Sequence, residues 1–338
     1  RACITLCMLL VTSGGRLWLL FALLFFETTC WGLFEPGRSA VIPNITAKGE
    51  VPLANALSSS TWSVIFAVGA AFGGIATVTF GRPTVFVLNS LSFVGSAILI
   101  SRMRFAEPHA EDTPPLRFRD LLGVADVVEG FRYIRSDRRL LATLFVKGGL
   151  GLLGANWVIL PVLGERMFPL HLAGLSAQKA GTLGVSALFG ARGIGALIGA
   201  AAASGYGGVS ETRSRRVIVV GFAMAAAGYF GLGLAWSLSA AALALLIAHT
   251  GASACWTSST LLLQQFATDR FRGRVFSAEA AGMTTGLALS SFTAGKFIDA
   301  GANAQTVSIA MSLVMILPFA AWTWASARWQ PAATDKFK

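Results

Sequence analysis

From Leu53 to Gly81 the chain runs through 29 positions without a charged side chain, and from Val217 to Thr268 through 52, counting His249 as neutral. The hydrocarbon core of a bilayer needs about 20 apolar residues per helical crossing, so the longer run holds two spans. The runs are too long and too evenly apolar for barrel strands, which leaves the helix as the element that satisfies its own backbone in lipid. Ten spans are predicted, near 2–15, 17–35, 53–80, 83–101, 140–163, 180–203, 217–235, 238–266, 276–298 and 304–327. The predicted fold class is an all-α polytopic membrane protein.

Composition agrees with the pattern. Charged residues make up 13% of the 338 positions, against about 25% in an ordinary soluble domain. Many of the 37 glycines fall inside the apolar runs, where small residues let membrane helices approach closely. Gly195 with Gly199, and Gly69 with Gly73, have that spacing. The four cysteines (Cys3, Cys7, Cys30, Cys255) lie in apolar segments away from any histidine cluster, so neither a disulfide framework nor a metal site is predicted.

The net charge of +11 raises the question of nucleic acid, but its placement answers it. Twenty of the 27 Lys and Arg residues fall in alternate loops and tails on one side, four on the other, and three within spans. Basic loops stay in the cytoplasm. A multi-pass membrane protein with its C-terminus cytoplasmic is expected. The longest connection carries ADVVEGFRYIRSDRR, which reads as an amphipathic helix on the membrane surface or as a solvated linker helix. It divides the chain into 1–102 with four spans, a linker at 103–139, and 140–338 with six. That imbalance, and a first span of only about 14 residues, lead to the expectation that two spans lie upstream of Arg1.

The stretch Glu35-Pro36-Gly37-Arg38-Ser39-Ala40-Val41-Ile42-Pro43-Asn44 resembles the loop after the fourth span of major facilitator superfamily exporters. Leu53-Ala54-Asn55-Ala56-Leu57, leading to Trp62-Ser63, looks like the opening of their fifth span. Gln264-Gln265 followed by Asp269-Arg270-Phe271-Arg272-Gly273-Arg274-Val275-Phe276-Ser277 is similar to their loop between spans ten and eleven. The branch most resembled holds the enterobactin exporters, macrolide efflux pumps and transmembrane secretion effectors. The resemblance covers the family's third to twelfth spans and implies a two-half helical bundle. Val68-Gly69-Ala70-Ala71-Phe72-Gly73-Gly74 resembles the fifth-span signature of proton-coupled antiporters, with Ala70 where that signature has proline. Gly69, Gly73 and Gly74 then mark either that signature or a helix-packing face.

Ionisable groups within a span are costly, about 3 kcal/mol on insertion scales, so each is a candidate site residue. Glu27 is expected about 12 Å deep, the one carboxylate placed near mid-membrane, where it could carry a proton or pair with a cation. Arg192, near the middle of its span, and Lys147, about 10 Å in, could bind an anionic substrate or neutralise Glu27. Lys147 could equally reach back to the surface. His249 is either a proton shuttle or a hydrogen-bonded packing residue. Asn89 and Asn156 could line the path or bridge helices, and Trp62, Phe66, Trp157 and Trp256 could touch a bulky ligand. The resemblance implies a cytoplasmic gate at Arg38, Asn55, Arg272 and Arg274, with arginine forks bonding helix ends or carboxylates such as Glu35 and Asp269.

The sequence holds no GxxxxGK[ST] phosphate loop, no HExxH and no GxSxG. The expected activity is secondary transport without catalysis or cofactor, driven by an ion gradient, with protons the family's usual choice. Proton-coupled export of a hydrophobic or amphipathic small molecule, of drug or siderophore type, is the leading expectation. An uptake permease and a non-transporting sensor or assembly protein are the alternatives. The expected partners are the lipid bilayer and a small-molecule substrate, with the protein monomeric and no nucleic acid bound.

Overall fold

The computed structural model describes residues 1–11, 14–46, 51–104, 124–207 and 210–328. Among these the regular structure is helical throughout, with no strand. Two compact units divide the chain: Arg1–Trp62 with Phe72–Leu116, and Ser63–Ala71 with Arg117–Lys338.

The first unit contains α1 (Ala2–Cys7), α2 (Leu17–Ile45), most of α3 (Val51–Phe80) and α4 (Arg82–Ser101). Helix α1 is short and runs on into a 3-10 turn, Met8–Leu10, with a second such turn at Gly14–Arg16. Ser90 ties α4 to α1 by donating to the Ala2 carbonyl at 2.9 Å. Gly81 joins α3 to α4 at φ +81°, a left-handed conformation that favours glycine. Pro83 then sits in the first turn of α4, where its missing N–H leaves no intrahelical bond unmade. The Glu35–Asn44 stretch, expected as a loop, is helical instead. Pro36 costs α2 one backbone bond without ending it, and helix breakers are tolerated in this way in membrane helices.

The second unit contains α5 (Val124–Ser136), α6 (Arg138–Gly151), α7 (Asn156–Val162), α8 (Ala177–Ala202), α9 (Glu211–Gly233), α10 (Leu238–Phe266), α11 (Asp269–Asp299) and α12 (Ala304–Arg328). Its core holds Leu160, Leu188, Phe222, Tyr229, Leu245, Leu262 and Met315. Close approach rests on small residues, as the spacing of Gly195 and Gly199 predicts. A side chain at either would run into the α10 backbone, at Leu246 and Thr250 respectively. Asp137, Ser210 and Ser237 cap α6, α9 and α10 by accepting from backbone N–H groups of the first turn. Burial pushes the Asp137 carboxyl up, but hydrogen bonds from Arg139 outweigh it and hold the group below its ordinary range.

Seven described helical stretches are long and apolar enough to cross a membrane: Leu17–Phe34, Arg82–Ser101, Arg138–Met167, Ala177–Gly207, Glu211–Gly233, Leu238–Phe266 and Ala304–Arg328. Of the other predicted spans, α1 is too short at six residues. Helix α11 begins in the basic stretch expected as a loop and carries Glu279 and Lys296 within its length.

The linker helix α5 packs part of its apolar edge on the second unit: Ile134 is buried with Leu140, Leu263, Ala267 and Val275, while Val128 and Phe131 stay exposed. Tyr133 stacks on Phe271 with centroids 4.2 Å apart and planes at 10°. Its hydroxyl accepts from the Thr268 N–H at 3.1 Å, satisfying a donor at the start of α11. Glu129 pairs with Arg274 at 3.0 Å. Tyr133→Ala is expected to loosen α5 by about 2 kcal/mol, since the stack and a hydrogen bond go together. Arg274→Ala, removing a half-exposed pair, is expected to cost less than about 1 kcal/mol. Amide exchange across Val124–Ser136 checks both, and unaltered exchange in Tyr133→Ala would show that this contact does not hold the helix.

Candidate functional site

The site begins with a broken helix. The span Arg138–Met167 is not one α-helix: α6 gives way to a 3-10 turn, Leu152–Ala155, then α7, then a π turn, Leu163–Met167. The sequence Gly148-Gly149-Leu150-Gly151-Leu152-Leu153-Gly154 explains the break, since glycine is a poor helix interior residue. Backbone groups freed at a break inside a membrane must find partners. Helix α11 supplies them: Ser290 donates to the Leu152 carbonyl and accepts from the Ala155 N–H at 3.0 Å. Ser291 donates to the Gly154 carbonyl at 2.8 Å. The side-chain amide of Asn156 bonds the Leu153 carbonyl.

Lys147 stands just before this break, pointing inward. Its ammonium lies 2.8 Å from Glu279 Oε1 on α11, with both side chains about 5–6% exposed. It also donates to Thr260 Oγ1 at 2.8 Å, and Thr260 passes the polarity on to the Trp256 carbonyl at 2.9 Å. The Trp256 ring completes the cradle, 4.0 Å from the ammonium. Lys147 therefore does not reach back to the surface. Glu27 is expected as the one carboxylate near mid-membrane; Glu279, four residues into the predicted span 276–298, is a second carboxylate, buried on α11. A buried lysine demands a counter-charge, and that demand was the sequence signal for Glu279. Glu279 stands close to the cytoplasmic end of its predicted span, where a carboxylate needs no buried partner.

A second polar cluster lies among α7, α8, α9 and α10. The Tyr229 hydroxyl meets His249 Nε2 at 3.0 Å, with both residues buried. His249 is thus held in a packed hydrogen-bond pair. Arg192 on α8 lies within electrostatic reach of Tyr229 and His249. Its guanidinium sits 4.6 Å from the Trp157 ring centroid and 5.7 Å from that of Phe189. The two rings are 5.5 Å apart, tilted at 37°.

The remaining candidates are dispersed. Glu27 accepts from Arg1 Nε at 2.6 Å, and Arg1 lies over the Phe93 ring at 4.4 Å. Asn89 is exposed on α4. A side chain at Gly69 or Gly73 would meet no described atom within 4 Å, while Gly74 is buried. Arg38 lies near the end of α2, and Arg274 binds Glu129. The side chains of Asn55 and Arg272, like those of Trp62 and Phe66, lie outside the described residues.

A family model described as "Major Facilitator Superfamily" matches residues 2–290. A curated relative, the "Uncharacterized MFS-type transporter YkuC" of Bacillus subtilis (strain 168), is 22% identical over 165 residues. That alignment takes in 48% of this chain and 38% of the relative, so the chain spans well under half the length of the relative it matches. Two solved structures share the fold. Both are of a bacterial homolog to the human lysosomal transporter Spinster, inward-facing, one unoccupied and one occupied. They align with TM-scores of 0.64 and 0.59 at 16% identity, covering 98% of this chain and 82% of theirs.

Proposed function

The chain belongs to the Major Facilitator Superfamily, and from that premise we propose that it is a secondary active transporter working by alternating access. It exports hydrophobic or amphipathic small molecules in exchange for protons across the bacterial inner membrane. The observation that carries this reading is the Lys147–Glu279 pair, sequestered from solvent in a helix bundle with a broken span beside it. Such a pair can hold two states. With both groups charged it is closed and self-neutralised. A proton taken up by Glu279 cancels the carboxylate, frees Lys147 from its counter-charge and changes the affinity of its surroundings for a ligand. Release of the proton reverses the change. Direction and branch rest on the resemblance at Glu35–Asn44 and Asp269–Ser277, which favours the exporters of siderophores and macrolides.

The test is efflux from cells. The gene's complete reading frame, expressed in an efflux-deficient bacterium, should lower accumulation of at least one compound among macrolides, cationic dyes and catecholate siderophores. A protonophore and Glu279→Gln should each abolish that effect, while Glu27→Gln, which leaves the Lys147–Glu279 pair intact, should leave most of it. Unchanged accumulation of every compound despite confirmed membrane insertion would overturn the exporter reading. Protonophore-sensitive entry of a compound would replace it with uptake.

A further inference from the structure

We propose that the outer face of α5, carrying Val128, Phe131, Arg132 and Arg135, docks on anionic phospholipids of the surrounding bilayer. Positions 128, 131, 132 and 135 follow one another at three- and four-residue steps, which sets them along one side of a helix. All four are exposed, Val128 at 50% and Phe131 at 57%. The opposite side of α5 is already taken. Gly130 and Ile134 are buried, Tyr133 stacks on Phe271, and Glu129 pairs with Arg274. A Cβ at Gly130 would stand 2.9 Å from that of Arg274, so α5 is pressed against α11 along this side and holds its outer face away from it.

Position and charge together name the occupant. Only Asp137 separates α5 from Arg138, the first residue of the membrane-crossing stretch Arg138–Met167. The last turn of α5 therefore stands at the level of the lipid headgroups. Val128 and Phe131 offer apolar surface of the kind that sinks into the headgroup boundary, with arginines beside it. The ion pairs of this region join Glu129 to Arg274 and Asp137 to Arg139, which leaves Arg132 and Arg135 without an acidic partner among the described residues. The Arg135 guanidinium lies 5.7 Å from the Phe131 ring centroid, so cation and ring form one continuous patch. An arginine fork bonds phosphate oxygens through parallel N–H groups while its stem lies on apolar surface. A phospholipid supplies both the phosphate and the apolar surface, and inorganic phosphate supplies only the first.

The experiment follows amide exchange across Val124–Ser136 in the full-length protein, held in nanodiscs of phosphatidylcholine alone or mixed with phosphatidylglycerol. The anionic lipid should slow exchange of this segment about fivefold for each arginine engaged, the scale of one basic side chain at a charged membrane surface. Salt at about 1 M, where the screening length falls to about 3 Å, should remove most of the difference. Arg132→Gln combined with Arg135→Gln should bring the two lipids to parity. Arg135 also lies in the last turn of α5, where a cation favours the helix itself, so the readout is the ratio between lipids and not the rate in either. Arg132→Glu combined with Arg135→Glu should invert that ratio, which a loss of folding cannot do. Phe131→Ser should shrink it with the charge unchanged. Equal exchange of the native protein in the two discs overturns the proposal, as does a lipid difference that survives the paired Gln substitutions. Slow exchange in both discs, indifferent to salt and to the paired Glu substitutions, would show protein covering this face and would overturn it as well.

Discussion

Lys147→Met and Glu279→Leu, made singly, are each expected to lower the amount of folded protein sharply, and the double substitution is expected to restore it. Removing one member leaves the other charged, desolvated and without its counter-ion. Breaking a buried pair in that way costs about 3–5 kcal/mol, while replacing both by apolar residues of similar volume is about neutral. The cradle fits this arithmetic. Lys147 has Glu279 at 2.8 Å, Thr260 at 2.8 Å and the Trp256 ring at 4.0 Å, so a methionine can occupy the same space against the indole. Thermal melting by size-exclusion in detergent, with membrane abundance, measures the first effect. Transport separates structure from coupling. The double variant, folded as well as the native protein, should show no protonophore-sensitive efflux, because no titratable group remains at the site. Full activity in the double variant would remove the pair from the coupling mechanism. Native-like melting of both single variants would show that the pair is solvated after all.

The spans were legible because lipid imposes a constraint on each of them separately. Uncharged runs such as Leu53–Gly81 and Val217–Thr268 must become helices whatever they pack against. Helix α10 accordingly covers the predicted 238–266. Where charge and helix coincide, the same logic misplaces boundaries. Arg270–Arg274 was expected as a loop, yet it forms the first turns of α11, with Arg274 held by Glu129 on α5. The α5 helix shows the limit of amphipathicity as a guide: the pattern predicts one apolar edge and cannot say whether lipid or protein covers it. Ile134 and Tyr133 pack on protein, while Val128 and Phe131 of the same helix remain exposed.

The candidate site was half legible for a related reason. Lys147 and Arg192 announce themselves as charges in apolar sequence, but their neighbours are chosen by packing between distant spans. Nothing local in Ser277-Ala278-Glu279-Ala280 says that the carboxylate faces α6, and nothing in Ser290-Ser291 says that it patches a 3-10 turn. Glu27, expected to carry a proton or pair with a cation, has Arg1 as its partner, a contact that depth along its own helix does not specify.

Gly154→Val is expected to abolish folding or transport outright, and Gly154→Ala to cost about 3 kcal/mol, the upper end for overpacking. A Cβ at Gly154 would sit 2.6 Å from Leu287 Cα and 2.8 Å from its carbonyl carbon, both backbone atoms that cannot rotate aside. Gly151 is hemmed in similarly, 2.7 Å from the Met283 oxygen and 3.1 Å from Gly286 Cα. The only relief is to push α11 away from the broken span, and α11 carries both the serines that satisfy the break and Glu279. One methyl group would thus strain the backbone bonds at Ala155 and Gly154 and lengthen the Lys147–Glu279 contact together. Gly148 provides the comparison, since it adjoins Lys147 in α6 yet has no described atom within 4 Å of its would-be Cβ. There alanine should hold or raise stability by up to about 1 kcal/mol through helix propensity, with transport unchanged. Melting temperatures of Gly154→Ala and Gly148→Ala, set beside protonophore-sensitive efflux, decide the matter. Equal stability of the two would mean that α11 yields freely, and a helix that yields could not hold Glu279 against Lys147 through a transport cycle.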